Sequence, residues 1–345
     1  LKKTLFIDAR KGGDFTLDAV WAGLVDRNGF ENMIDWPPSE KHREGIPTVT
    51  GDVERDYGAE RRSLCYTSDH GRLRNYDAPQ INELIKSGQI ERIFIDEREE
   101  SYVLYLQLVA RYYDIPVVVV AGHDRFLNTI PQLHKYYDKN LEKIFMDNWR
   151  PEYNSSSGVC PMSYATNFDH LWDVSERDSL LNDKVYDICF TGYNSHGDRG
   201  KIIDHLVEKY GEKGNCLFVE KRPNTMECFL PKREYFKKIA KSRVCLNLRG
   251  AAECGKALRF YEIPYVGSYM LSQRDQANQV MPFISRIHCD YFTNIEEMDA
   301  MIKWALDNPV EREEIARWGY RYAMEHHTAR ARVDHMYYNL RNDWD

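Results

Sequence analysis

Four side chains between positions 249 and 262 have the types and spacing to hold a charged ligand: Arg249, Lys256, Arg259 and Glu262. Three cations in one short stretch suit a diphosphate, because guanidinium and ammonium groups make charge-assisted hydrogen bonds to phosphate oxygens. The Glu262 carboxylate accepts hydrogen bonds only, and a vicinal ribose diol offers two. Together these residues describe a pocket for a nucleoside-diphosphate sugar. A second anion-binding feature lies upstream. Gly192 and Tyr193 end an apolar run, and a polar loop through Gly197 leads to Arg199 and a helical stretch. Free N–H groups and the helix dipole attract an anion at such a point, and Arg199 adds a full charge. The alternative for Arg199 is a solvated helix start.

A reaction at a ligand hydroxyl would call for a base within hydrogen-bond reach of it. Asp14, Asp69, His123 and Asp124 are the candidates, each in a polar loop. Asp124 is equally suited to capping a helix, and His123 to a solvated loop. Gly12 and Gly13 follow the first apolar run and would let a backbone approach a ligand closely; a plain tight turn explains them as well.

The elements that must position these groups follow an α/β pattern. Residues 4–8, 63–67, 93–96, 116–121, 186–193, 216–219 and 244–248 read as strands. Of these, 116–121 (PVVVVA) is continuously apolar, as central parallel strands are. Helical spacing marks 16–28, 99–113, 201–210, 235–240, 295–306, 310–324 and 330–340. Residues 255–262 read as a short helix ended by Pro264, with strand character resuming at Tyr265. Residues 144–146 read as the last strand of a first domain, and the charged stretch 167–184 as an irregular linker. Strand and helix in alternation argue a doubly wound parallel sheet in each half.

The stretch 243–271 resembles the donor-binding core of GT-B glycosyltransferases, in particular the CgeB-like (spore-protein-like) branch. Leu246-Asn247, Gly255, Arg259-Phe260, Glu262, Gly267 and Leu271 carry the resemblance, followed by Glu296-Glu297-Met298, His327-Thr328 and Arg332. It covers the last 160 residues or so well, and the first half as a generic pattern. One departure stands out: many retaining GT-B enzymes carry two glutamates eight positions apart, whereas here Cys254 holds that position and Glu253 lies beside it. The resemblance implies two Rossmann-like doubly wound domains facing a cleft: an acceptor-side domain at 1–166, a donor domain at 167–328, and a terminal helix at 329–345 returning to the first. It also implies sugar transfer from a UDP- or GDP-linked donor to an acceptor hydroxyl, by a retaining or an inverting route. The acceptor stays open among a glycan, a protein, a metabolite and a modified nucleobase.

Composition narrows the field. The 345 residues are 43% hydrophobic and 29% charged, with a net charge of −7, which weighs against a dedicated nucleic-acid binder. Arg330, Arg332 and Arg341 form the late basic cluster that could serve one. Eight cysteines show no C-x-x-C pairing, so no zinc motif is expected and a reducing cytoplasm fits. Cys189 and Cys245 should be buried, inert thiols. No apolar run reaches membrane-spanning length, and none reads as a signal peptide. Asp-x-Asp occurs only at Asp343-Trp344-Asp345, so no metal or other cofactor is expected, and the His326-His327 pair does not share a helix face. Two rivals remain: a sugar-nucleotide epimerase of the same architecture, and a binding protein for nucleotide sugars or nucleic acid without catalysis.

Overall fold

The computed structural model describes residues 2–7, 15–36, 76–96, 112–121, 138–146, 158–163, 165–166, 174–193, 198–211, 216–221, 232–249, 258–274 and 280–341. The chain divides into two compact units. One comprises Leu1–Asn167, Asn278–Val280 and Thr328–Asp345; the other comprises Phe168–Ala277 and Met281–His327.

The first unit is built on β1 (Lys3–Ile7), β2 (Met33–Asp35), β3 (Ile90–Asp96), β4 (Val117–Ala121), β5 (Leu141–Met146) and β6 (Val159–Pro161), in the order β2-β1-β3-β4-β5-β6. Every pairing is parallel. All five residues of β4 are buried, as expected of an interior strand covered on both faces. Side chains alternate between those faces. Ile93, Ile95, Val117 and Val119 pack with Ile81 and Ile85 of a helix at Ala78–Lys86. Phe94, Val118 and Val120 pack with Trp21 of α1 (Phe15–Asn28) and Met336 of a terminal helix at Ala329–Arg341. The helix at Ala78–Lys86, α2, opens with a capping box: Gln80 N–H donates to Asp77 Oδ1 at 2.8 Å, and Asp77 N–H to Gln80 Oε1 at 3.0 Å. Gly23 lets the terminal helix lie close on α1, since a Cβ there would sit 2.2 Å from the Ala329 carbonyl oxygen.

The second unit carries β7 (Tyr186–Tyr193), β8 (Cys216–Lys221), β9 (Ser242–Asn247), β10 (Met270–Gln273) and β11 (Asp290–Phe292), in the order β11-β10-β9-β7-β8. It too is wholly parallel. Its helices are α3 (Val174–Asn182), α4 (Arg199–Tyr210), α5 (Lys232–Ala240), α6 (Arg259–Val266), α7 (Ile295–Asp307) and α8 (Pro309–His326); the terminal helix of the first unit is α9. Ile188, Phe190, Val244 and Leu246 face Ile202 of α4 and Ile302 of α7. Cys189 and Cys245, the alternate residues, are buried in register across β7 and β9.

Three expectations need correction. Residues 144–146 are not the last strand of the first unit: β6 adds to its edge, and three residues are too few to show a period. The stretch 167–184 is not irregular throughout, because α3 occupies Val174–Asn182. Pro264 does not end its helix. α6 continues to Val266, and Gly267 closes it at φ 95°, with Gly267 N–H on Pro264 O at 2.9 Å and Ser268 N–H on Ile263 O at 3.2 Å. Every residue from Phe260 to Val266 is buried, and that packing outweighs the one hydrogen bond the proline forgoes. The expected strand at 63–67 and nearly all of the expected helix at 99–113 lie outside the described residues.

Candidate functional site

The second sheet reverses direction between β7 and β9. The chain passes from β7 outward to β8, then returns to lay β9 on the other side of β7. Such a reversal leaves a crevice at the strands' carboxyl ends, where open α/β sheets bind ligands. β7 delivers Gly192 and Tyr193 to this edge, and β9 runs on into Leu248 and Arg249. α4 starts there with Arg199, and α6 with Arg259 and, one turn on, Glu262. Six predicted site residues thus converge on one crevice.

Their contacts define its character. Arg199 is only 5% exposed, so it is not a solvated helix start. Its Nη2 donates to the Leu248 carbonyl at 3.1 Å and to the Arg249 carbonyl. Burial, then the neighbouring Arg259 guanidinium, lower its pKa to about 10. Arg259 lies over the Phe190 ring, Cζ 5.1 Å from the centroid. Its guanidinium also presses on Gly192, where a Cβ would meet Arg259 Nη1 at 2.7 Å. Among the described residues the buried Arg259 Nε has no hydrogen-bond partner. Arg249 serves through its main chain as well, its N–H donating to Gln273 Oε1 at 3.2 Å. Glu262 is 2% exposed, and its Oε2 accepts a 2.8 Å hydrogen bond from the Tyr235 hydroxyl of α5.

Two guanidinium groups held close in a partly dry crevice repel each other, and an anion placed between them relieves that repulsion. The arrangement therefore suits a ligand with concentrated negative charge, and Glu262 adds an acceptor for hydroxyls one helical turn away. Among the described residues no group of three or more His, Cys, Asp or Glu is gathered as a metal site. Gly12, Gly13, Asp14, Asp69, His123, Asp124 and Lys256 lie outside the described residues. Arg332, grouped by sequence with a basic surface, is instead buried in the first unit. Sequence reasoning missed Tyr235, Phe190 and Gln273 as parts of this site. Only the position of Phe190 two residues before Gly192 on β7 offered a signal.

Residues 198–337 match a family model described as glycosyl transferase-like. No curated protein matches the chain. Among solved structures, HepE of Anabaena in complex with UDP aligns with a TM-score of 0.57 at 9% identity, over 99% of this chain and 100% of that one. A glycosyltransferase from Rickettsia africae aligns at 0.57 and 9% identity, over 99% and 98%. Sucrose-phosphate synthase from Thermosynechococcus elongatus aligns at 0.53 and 12%, over 100% and 99%. The fold is of the GT-B class, with two Rossmann-like parallel-sheet units. Among the described residues no helix is long and apolar enough to cross a membrane.

Proposed function

We propose that this chain is a glycosyltransferase, moving a sugar from a nucleoside-diphosphate sugar to an acceptor hydroxyl. The observation that carries the reading is that Arg199 and Arg259 each open a helix at the β7/β9 crevice, Arg259 lying against Gly192, with buried Glu262 one turn further along α6. The match of residues 198–337 to the glycosyl transferase-like family supports it, as does the likeness to a protein solved with UDP and with UDP-glucose. In the reaction the bond from the anomeric carbon to the diphosphate oxygen breaks as a bond to the acceptor oxygen forms. Charge grows on the leaving diphosphate. The two arginines stabilise it without a divalent cation, and Glu262 holds the ribose. Asp14, Asp69, His123 and Asp124 are the candidate acceptors of the hydroxyl proton. We assign the chain to the CgeB-like branch on the Arg259-Phe260/Glu262 and His327-Thr328/Arg332 residues, and to the cytoplasm on its unpaired cysteine spacing.

Thermal unfolding with UDP, GDP, CMP and TDP and their common sugars, without added metal, tests the reading. Ligand at 100 times its Kd adds about 2.7 kcal/mol, roughly 5–10 °C in Tm for a unit of this size. One nucleotide family should give that rise, and Glu262→Ala should cut it by at least half. A flat response to all of them defeats the proposal.

Gly192→Ala probes the same crevice from the strand side. The new methyl would meet Arg259 Nη1 at 2.7 Å and Phe190 Cζ at 3.0 Å, so the guanidinium must move. Affinity for the nucleoside diphosphate should fall about tenfold, on the order of 1.4 kcal/mol, with Tm little changed. Calorimetric titration of both proteins checks it, and equal affinities would show that the position of Arg259 does not matter for binding.

A further inference from the structure

We infer that Tyr235 is a positioning residue for ribose recognition, holding the Glu262 carboxylate in the orientation that accepts the sugar diol. The inference rests on the donor-site reading above and names a part of the machinery that lies outside the β7/β9 edge itself.

Tyr235 sits on α5 and Glu262 on α6, 27 positions apart in sequence. Both are buried, at 8% and 2% exposure. The phenol hydroxyl donates to Glu262 Oε2 at 2.8 Å. Burial, then the adjacent carboxylate, push the phenol well above its ordinary pKa, so it stays protonated and can only donate to that oxygen. A carboxylate on a glutamate has a free terminal torsion, broad and roughly two-fold. Fixing one oxygen removes that freedom. An ionised carboxylate takes about four hydrogen bonds, so the bond from the tyrosine does not by itself saturate it.

The neighbouring residue shows that the ring alone does not explain Tyr235. Phe236 is fully buried in the core without a hydroxyl, so a phenylalanine serves where α5 needs only packing. At position 235 the hydroxyl is set against the one carboxylate of α6. Arg259 lies close enough to pull the phenol's pKa downward, against burial and Glu262. The order across the crevice is therefore Arg259 for phosphate, Glu262 for ribose, and Tyr235 behind Glu262.

The test is ribose discrimination. Calorimetry measures the Kd of UDP and 2′-deoxy-UDP, and of GDP and 2′-deoxy-GDP, for wild type, Tyr235→Phe and Tyr235→Met. Wild type should bind the ribonucleotide of its preferred base at least tenfold more tightly than the deoxy form. In both variants that ratio should fall to about twofold, through weaker ribonucleotide binding alone. A merely structural tyrosine would weaken both nucleotides equally, and an unchanged ratio in the variants overturns the inference. Collapse of both variants to the unfolded state, read by circular dichroism, assigns the hydroxyl to the fold and also overturns it. Wild type that binds a nucleotide but ignores the 2′-hydroxyl removes ribose recognition while leaving the donor-site reading intact. Wild type that binds no nucleoside diphosphate defeats both.

Discussion

Arg259→Ala should lower kcat for sugar transfer by about 10²–10³-fold, the loss typical of removing one preorganised donor from a developing anion, about 3–4 kcal/mol. The guanidinium is held by packing against Gly192 and over Phe190, so among the described residues alanine breaks no buried ion pair. Tm should shift by no more than a degree or two. The loss should appear in kcat more than in KM, because charge on the diphosphate is largest as the glycosidic bond breaks. Arg259→Lys should recover only part of it, since an ammonium lacks the planar fork that meets two phosphate oxygens. Arg199→Ala is a poorer probe. It would strip the Leu248 and Arg249 carbonyls of a donor and confound binding with folding. Single-turnover transfer with saturating donor is the measurement. A rate within threefold of wild type would remove Arg259 from the leaving-group role.

Much of the architecture was legible because parallel strands buried on both faces leave long apolar runs. β4, β7 and β9 show this, and their helices followed from 3.6-residue spacing. The crevice residues were legible for a related reason: Gly192, Arg199, Arg259 and Glu262 come from two strand–loop–helix segments, and each segment is continuous in sequence. What failed was tertiary or too short to have a period. β6 is three residues at a sheet edge. α3, with Ser175, Glu176, Arg177 and Asp178 in its first half, reads like a linker. Pro264 is tolerated inside α6 because the whole segment is buried, which a local rule cannot see. The burial of Arg199 and the contact of Tyr235 with Glu262 each join residues distant along the chain, and no spacing announces them.

The site's charge and its support are separable, and this sets the meaning of any loss of function. Arg249 places its amide on Gln273, the last residue of β10. Asn247 donates to Ser272 on the same strand at 3.0 Å. The position of β10 therefore decides where β9 ends, and with it the two carbonyls that hold Arg199. A change at the far end of β10 would reach the crevice through the sheet, without touching ligand.

Asp290→Ala is the change that acts on that support, and it should cost about 3–5 kcal/mol, the range for stripping one partner from a buried charged network. Asp290 begins β11 and is 0% exposed. It accepts from the Tyr269 hydroxyl at 2.7 Å, from Ser285 Oγ at 3.1 Å and from the Arg286 amide at 3.2 Å, with Arg286 Nε at 3.4 Å. Burial, then the Asp290 charge, drive the Tyr269 phenol upward, so Tyr269 is a donor that needs this acceptor. Tyr269 stands immediately before β10, and the aspartate thus pins the start of the strand whose end holds Arg249. Tm should fall on the order of 10 °C, and Asp290→Ala combined with Tyr269→Phe should be less destabilising than the sum, because the second change removes a donor the first left unpaired. Differential scanning calorimetry of the two single variants and the double variant measures this. Full additivity, or a single-variant shift under about 2 °C, would show that the network does not hold β10. Set beside Arg259→Ala, the two outcomes should be opposite in kind. One protein keeps its Tm and loses its rate; the other loses Tm first, and whatever rate it loses while folded comes through the position of β10 and not through a ligand contact.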